Sequence, residues 1–139
     1  MIVILERDPG LARLLEECIH DWFSSVEVLS FDDEQEAWRV VSQQAPSLLI
    51  LDSLAPGVTE GEILARLAWS QATFPILLTS EFFEEHAHVF SGRGLKLAFL
   101  PKPFQIRELW AALNELVGRS DYPEMQALAK PPLAVYPLP

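Results

Sequence analysis

Four short apolar runs in this chain each lead to a residue that can do chemistry. Leu48-Leu49-Ile50-Leu51 ends on Asp52, and Ile2-Val3-Ile4-Leu5 ends on Glu6-Arg7-Asp8. Ile76-Leu77-Leu78 ends on Thr79, and Leu97-Ala98-Phe99-Leu100 is followed by Lys102. Buried strands of this kind belong to parallel sheets, and open α/β sheets do their chemistry beyond the carboxyl ends of the strands. Acid, acid, hydroxyl and lysine would then meet at one edge, offering carboxylates, a hydrogen-bond donor and a fixed cation. Arg7 is the misfit in that set. Taken singly, Asp52 is also what a turn-capping acid looks like, Lys102 a solvated surface lysine and Thr79 an ordinary strand end. Glu6 could be a helix-capping acid. The joint pattern favours the site.

The elements that would position these groups alternate strictly. Strand 2–5 precedes Asp8-Pro9, an N-cap acid followed by a first-turn proline. Leu11, Leu14, Leu15, Cys18, Ile19, Trp22 and Phe23 then recur at helical spacing over 9–23. A strand is expected from Val26 to Phe31, and Asp32 or Asp33 caps a helix carrying Ala37, Val40 and Val41. The strand 47–51 follows, then a Pro56-Gly57 turn, a helix over 60–69 and a strand from Phe74 to Leu78. A weaker helix at about 81–91, a strand at 97–100 and a helix at about 104–117 complete five β–α pairs. Such alternation predicts a doubly wound α/β sandwich with a five-stranded parallel sheet. Trp22, Trp38, Trp69 and Trp110 all fall on helices and are expected half-buried on the sides facing the sheet.

The 139 residues suit one domain over 1–118, followed by a Pro-rich tail at 119–139. Pro123, Pro131, Pro132, Pro137 and Pro139 rule out regular helix there and favour extended chain. Half the residues are hydrophobic and 22% are charged, a globular composition. A formal charge of −10 speaks against binding a phosphate backbone, so no nucleic acid partner is expected. Cys18 is the single cysteine, which excludes an internal disulfide. His86 and His88 would stand about 200° apart on a helix and share no face, and His20 adds no metal spacing. No apolar stretch approaches the ~20 residues of a membrane span, and the N-terminus has no signal-peptide pattern. A cytoplasmic protein is the expectation.

The ordered motifs resemble the receiver domain of two-component response regulators, a flavodoxin-like phosphoacceptor module with strand order 2-1-3-4-5. The resemblance rests on Glu6-Arg7-Asp8-Pro9, Leu51-Asp52 with Pro56, Thr79-Ser80, Phe99 and Lys102-Pro103-Phe104, and it spans 1–118. It implies that Asp52 accepts a phosphoryl group from a histidine kinase or phosphotransfer protein, as a carboxylate nucleophile can. Lys102, Thr79 and N–H groups near Ser53 and Ser80 would offset the added charge. Phe99 would be the switch aromatic, lacking the hydroxyl of a tyrosine. A downstream target protein would be met through the helix at 81–91, the last strand and the last helix. With no output domain in the tail, a stand-alone regulator, monomeric or weakly dimeric and not an enzyme, is expected.

The family also implies Mg²⁺, here held by Glu6, Asp52 and the Leu54 carbonyl. Arg7 occupies the place of the second acid of the usual pair, so that site is expected weakened or lost. Arg7 could face solvent, ion-pair with Asp52 or Glu6, or hold phosphate directly. The alternative function follows from it: a degenerate receiver that works as a phosphorylation-independent interaction module. Four residues rather than the usual three separate Pro56 from Gly61, bordering the site. A haloacid-dehalogenase-type phosphatase would need an acid where Leu54 stands, and a flavin site would need a phosphate-cradling loop where Arg7-Asp8-Pro9 stands.

Overall fold

The computed structural model describes residues 1–52, 62–81 and 94–117. The expected helix at 81–91 apart from Glu81, the turn and loop around Ser53, Leu54 and Pro56–Gly61, and the tail at 119–139 lie outside the described residues. Within them the order is β1 (Ile2–Leu5), α1 (Pro9–Trp22), β2 (Val28–Phe31), α2 (Glu34–Gln43), β3 (Leu48–Asp52), α3 (Glu62–Trp69), β4 (Ile76–Ser80), β5 (Leu97–Pro101) and α4 (Ile106–Val117). The strands pair in parallel in the order β2-β1-β3-β4-β5. The doubly wound architecture expected from the alternation is the one observed.

The two faces of the sheet are written into the strands with period two. Ile2, Ile4, Leu48, Ile50, Leu77, Ala98 and Leu100 pack with Leu15, Cys18 and Ile19 of α1 and Leu109, Leu113 and Leu116 of α4. Val3, Leu5, Leu49, Leu51, Ile76 and Leu78 pack with Ala37 and Val41 of α2, Leu67 of α3 and Phe74. β1, β3 and β4 are buried along their whole length, which is why their sequences run apolar without alternation up to Asp52 and Thr79-Ser80 at the carboxyl ends. Truncating a buried leucine or isoleucine of these clusters to alanine removes ~2–5 kcal/mol of stability.

The helix starts follow local chemistry. Asp8 stays extended and its carboxylate accepts from the N–H groups of Gly10 at 2.9 Å and Leu11 at 3.4 Å, with Pro9 opening α1. Asp33, of the two candidates, caps α2 by accepting from the N–H of Gln35 at 3.0 Å. Cys18 is buried, and burial with Asp21 and Glu17 nearby pushes its thiol up to about 11, so it is an inert core group.

Three expectations need correction, one being the strand expected from Phe74, which begins at Ile76. Trp69 is 91% exposed rather than half-buried. Leu67 of α3 turns inward, and two residues on is about 200° around the helix, which puts Trp69 on the outer face. The second strand starts at Val28 rather than Val26, because Val26 is a buried turn residue whose N–H donates to the Phe23 carbonyl at 3.1 Å. Trp22 and Trp110, by contrast, are partly buried and meet edge to face across α1 and α4, ring centres 5.2 Å apart.

Candidate functional site

β1 turns away to β2 on one side while the chain continues through β3 on the other, so the crevice of the sheet opens beyond Leu5 and Asp52. Glu6 extends the β1–β2 ladder by donating its N–H to the Phe31 carbonyl at 3.0 Å, which fixes its side chain at that crevice. Asp52 ends β3 and stands in register with Thr79 of β4. Lys102 comes from the far side of the sheet, its N–H donating to the Ser80 carbonyl at 2.7 Å just after β5.

The three charged groups converge. Lys102 Nζ lies 2.8 Å from Glu6 Oε1 and 3.1 Å from Asp52 Oδ1. Glu6 and Asp52 are each only 2% exposed. The second oxygen of Glu6 accepts from the Asp8 N–H at 3.1 Å. Burial, with the Asp52 carboxyl beside it, holds the Glu6 carboxyl above its ordinary value of 4.5, while Lys102 and the Asp8 N–H pull the other way. Two acids thus share one ammonium in a site largely closed to water.

Thr79 is fully buried, and its hydroxyl donates to the Leu51 carbonyl at 3.4 Å, a long bond that leaves it available to a better acceptor. Phe99, beside Leu78 on β5, is partly buried against the α2–α3 face. Of the residues singled out from sequence, Glu6, Asp52 and Lys102 meet directly, Thr79 is next to Asp52 across the ladder, and Phe99 stands one strand over. Leu54 lies outside the described residues.

Arg7 does not join them. It is exposed and lines a cleft of about 460 Å³ with Arg13, Ser30, Phe31 and Asp32, on the β2 side of Glu6. The ion pairs at this edge among the described residues are those of Lys102, so the reading in which Arg7 itself pairs with Asp52 or Glu6 is replaced by one in which Lys102 does.

Sequence reasoning did not foresee that Lys102 would reach Glu6 as well as Asp52. Nor did it foresee a second cleft of about 610 Å³, lined by Leu11, Leu14, Pro103, Phe104, Lys102 and Glu81. Its trace in the sequence is that Leu11 and Leu14 stand on the first turns of α1, where they are only partly buried against the core.

A family model for the response regulator receiver domain matches residues 2–114. The chain belongs to that family. It is a receiver domain of the kind that works in two-component signalling. Among curated proteins it is 27% identical to the alkaline phosphatase synthesis transcriptional regulatory protein PhoP of Bacillus subtilis, over 86% of this chain and 49% of that one. It is 30% identical to the transcriptional regulatory protein TrcR of Mycobacterium tuberculosis, over 91% of this chain and 48% of that one. The chain spans about half the length of these relatives. A solved response regulator receiver domain protein from Clostridium thermocellum matches in fold, with a TM-score of 0.70 at 16% identity over 85% of this chain and 94% of that one.

Receiver domains generally use Mg²⁺ when they are phosphorylated. The residues described here fit that ion poorly. Mg²⁺ asks for near-octahedral oxygen ligands. Among the described residues no group of three or more acids, histidines or cysteines could hold a metal. Glu6 and Asp52 are both held by Lys102, and the Asp8 carboxylate is occupied in capping α1. No helix among the described residues is long and apolar enough to cross a membrane.

Proposed function

We propose that Asp52 is the phosphoacceptor of this receiver, charged by a histidine kinase or phosphotransfer protein. A carboxylate oxygen of Asp52 attacks the phosphorus of the donor. The P–N bond of a phosphohistidine breaks, and an acyl phosphate forms as the imidazole leaves. Lys102 then turns from the carboxylates to the new phosphate oxygens, and the Thr79 hydroxyl exchanges a 3.4 Å bond to Leu51 for a charged acceptor. The cleft beside Lys102, with Leu11, Leu14 and Pro103 on its walls, is an apolar ledge on which a donor protein could rest. Signalling would follow through protein–protein contact with a downstream target, without nucleic acid or membrane. The chain itself would act as a monomer or weak homodimer and not as an enzyme.

The single observation that carries the reading is the Asp52–Lys102 contact of 3.1 Å at a buried strand end, next to Thr79 in register. Phosphoramidate or acetyl phosphate treatment followed by intact-mass measurement tests it. One added phosphoryl group on the protein and none on Asp52→Asn is the expected result.

Arg7 favours a second reading, that of an interaction module whose contacts do not depend on phosphate. On that reading Asp52→Asn would engage the downstream target as well as the unchanged protein does, which a pull-down against the target would register.

A further inference from the structure

We infer that the strand-end pocket of this receiver is closed to divalent cations, and that Arg7 is the residue that closes it. The inference concerns the pocket before any phosphate arrives, so it stands apart from the assignment of Asp52 as phosphoacceptor. Two carboxylates and one ammonium leave a single net negative charge in the pocket. A divalent cation entering there competes with Lys102, which lies 2.8 Å from Glu6 Oε1 and 3.1 Å from Asp52 Oδ1, on buried acids where such contacts are strong. In exchange it gains two carboxylates and, among the described residues, no third acid.

The third acid position is the one immediately after Glu6, and there the chain has a guanidinium that can neither deprotonate nor ligate. Arg7 stands in the cleft that Glu6 also lines, beside the pocket, and places a positive charge there. Asp8 is no substitute. Its Oδ1 caps α1 through Gly10 and Leu11, and turning it inward would uncap the helix.

Calorimetric titration of the full chain with Mg²⁺ alone, and separately with Mn²⁺ alone, tests this. The unchanged protein should give no saturable heat in the millimolar range. Arg7→Asp should bind both ions, with a gain of more than about tenfold, since even partners outside a metal's own ligands change affinity by that much. Arg7→Ala should fall between the two, as it removes the repulsion without supplying a ligand. Circular dichroism confirms that each variant is folded, and Arg7→Glu serves if Arg7→Asp is not. Saturable binding by the unchanged protein within tenfold of Arg7→Asp overturns the inference. Absence of binding by both acidic variants overturns the assignment to Arg7.

Discussion

Lys102 Nζ sits 2.8 Å from Glu6 Oε1, although the two residues are 96 positions apart in the chain. That contact ties the end of β1 to the loop after β5 across the carboxyl edge of the sheet, and it brings the ammonium to Asp52 as well. Most of what the site can do follows from two acids sharing one cation.

Lys102→Met tests the sharing. The variant keeps the length of the side chain and removes the charge, leaving Glu6 and Asp52 buried side by side. Breaking a buried pair by removing one partner costs ~3 kcal/mol or more. Urea unfolding at neutral pH should show that loss with an unchanged dependence on urea.

Glu6 gives the pH dependence its sign. Its folded carboxyl takes up a proton more readily than its ordinary value of 4.5 allows, chiefly through burial and then through Asp52. The folded state therefore binds more protons than the unfolded one in the window from 4.5 up to the raised value. Stability from this group is present at pH below 4.5 and is lost as pH rises through the raised value. Compared with Glu6→Gln, the unchanged protein should lose stability on going from pH 4.5 to neutral, and the difference between the two unfolding curves isolates the effect from other carboxylates.

Asp52→Asn should leave the fold at least as stable as before at neutral pH. It removes one of two like charges facing a single ammonium and leaves the Glu6–Lys102 pair intact. Thermal unfolding monitored by circular dichroism would show an equal or higher midpoint. A lower midpoint would mean that the contacts of the Asp52 carboxylate outweigh its repulsion with Glu6.

Trp22 and Trp110 link the two helices on one face of the sheet, in an edge-to-face contact at 71° between ring planes. A double-mutant cycle with Trp22→Leu and Trp110→Leu should return a coupling of ~0.5–1.5 kcal/mol. It should change neither acid of the site.

The sequence made the local parts legible. Asp8-Pro9-Gly10 announces a capped helix because cap, proline and first-turn N–H groups are neighbours in the chain. The apolar runs announce buried parallel strands, and so they locate Asp52, Thr79 and Lys102 at strand ends. Three things were not legible. Val26 and Phe74 read as strand residues because they are apolar and buried, yet the ladders begin at Val28 and Ile76, since burial and pairing are separate properties. Trp69 reads as half-buried because it falls on a helix and is large and apolar, and only the phase of α3 about Leu67 puts it outside. The Glu6–Lys102 contact depends on how far apart the first and fifth strands end, a distance that no local spacing encodes.

The central claim is that Asp52 takes the phosphoryl group, and intact-mass spectrometry after phosphoramidate treatment measures it most directly. The account predicts one added phosphoryl group, removed by Asp52→Asn and retained by Glu6→Gln. An unmodified mass for the folded protein, or a label that survives Asp52→Asn, would contradict it.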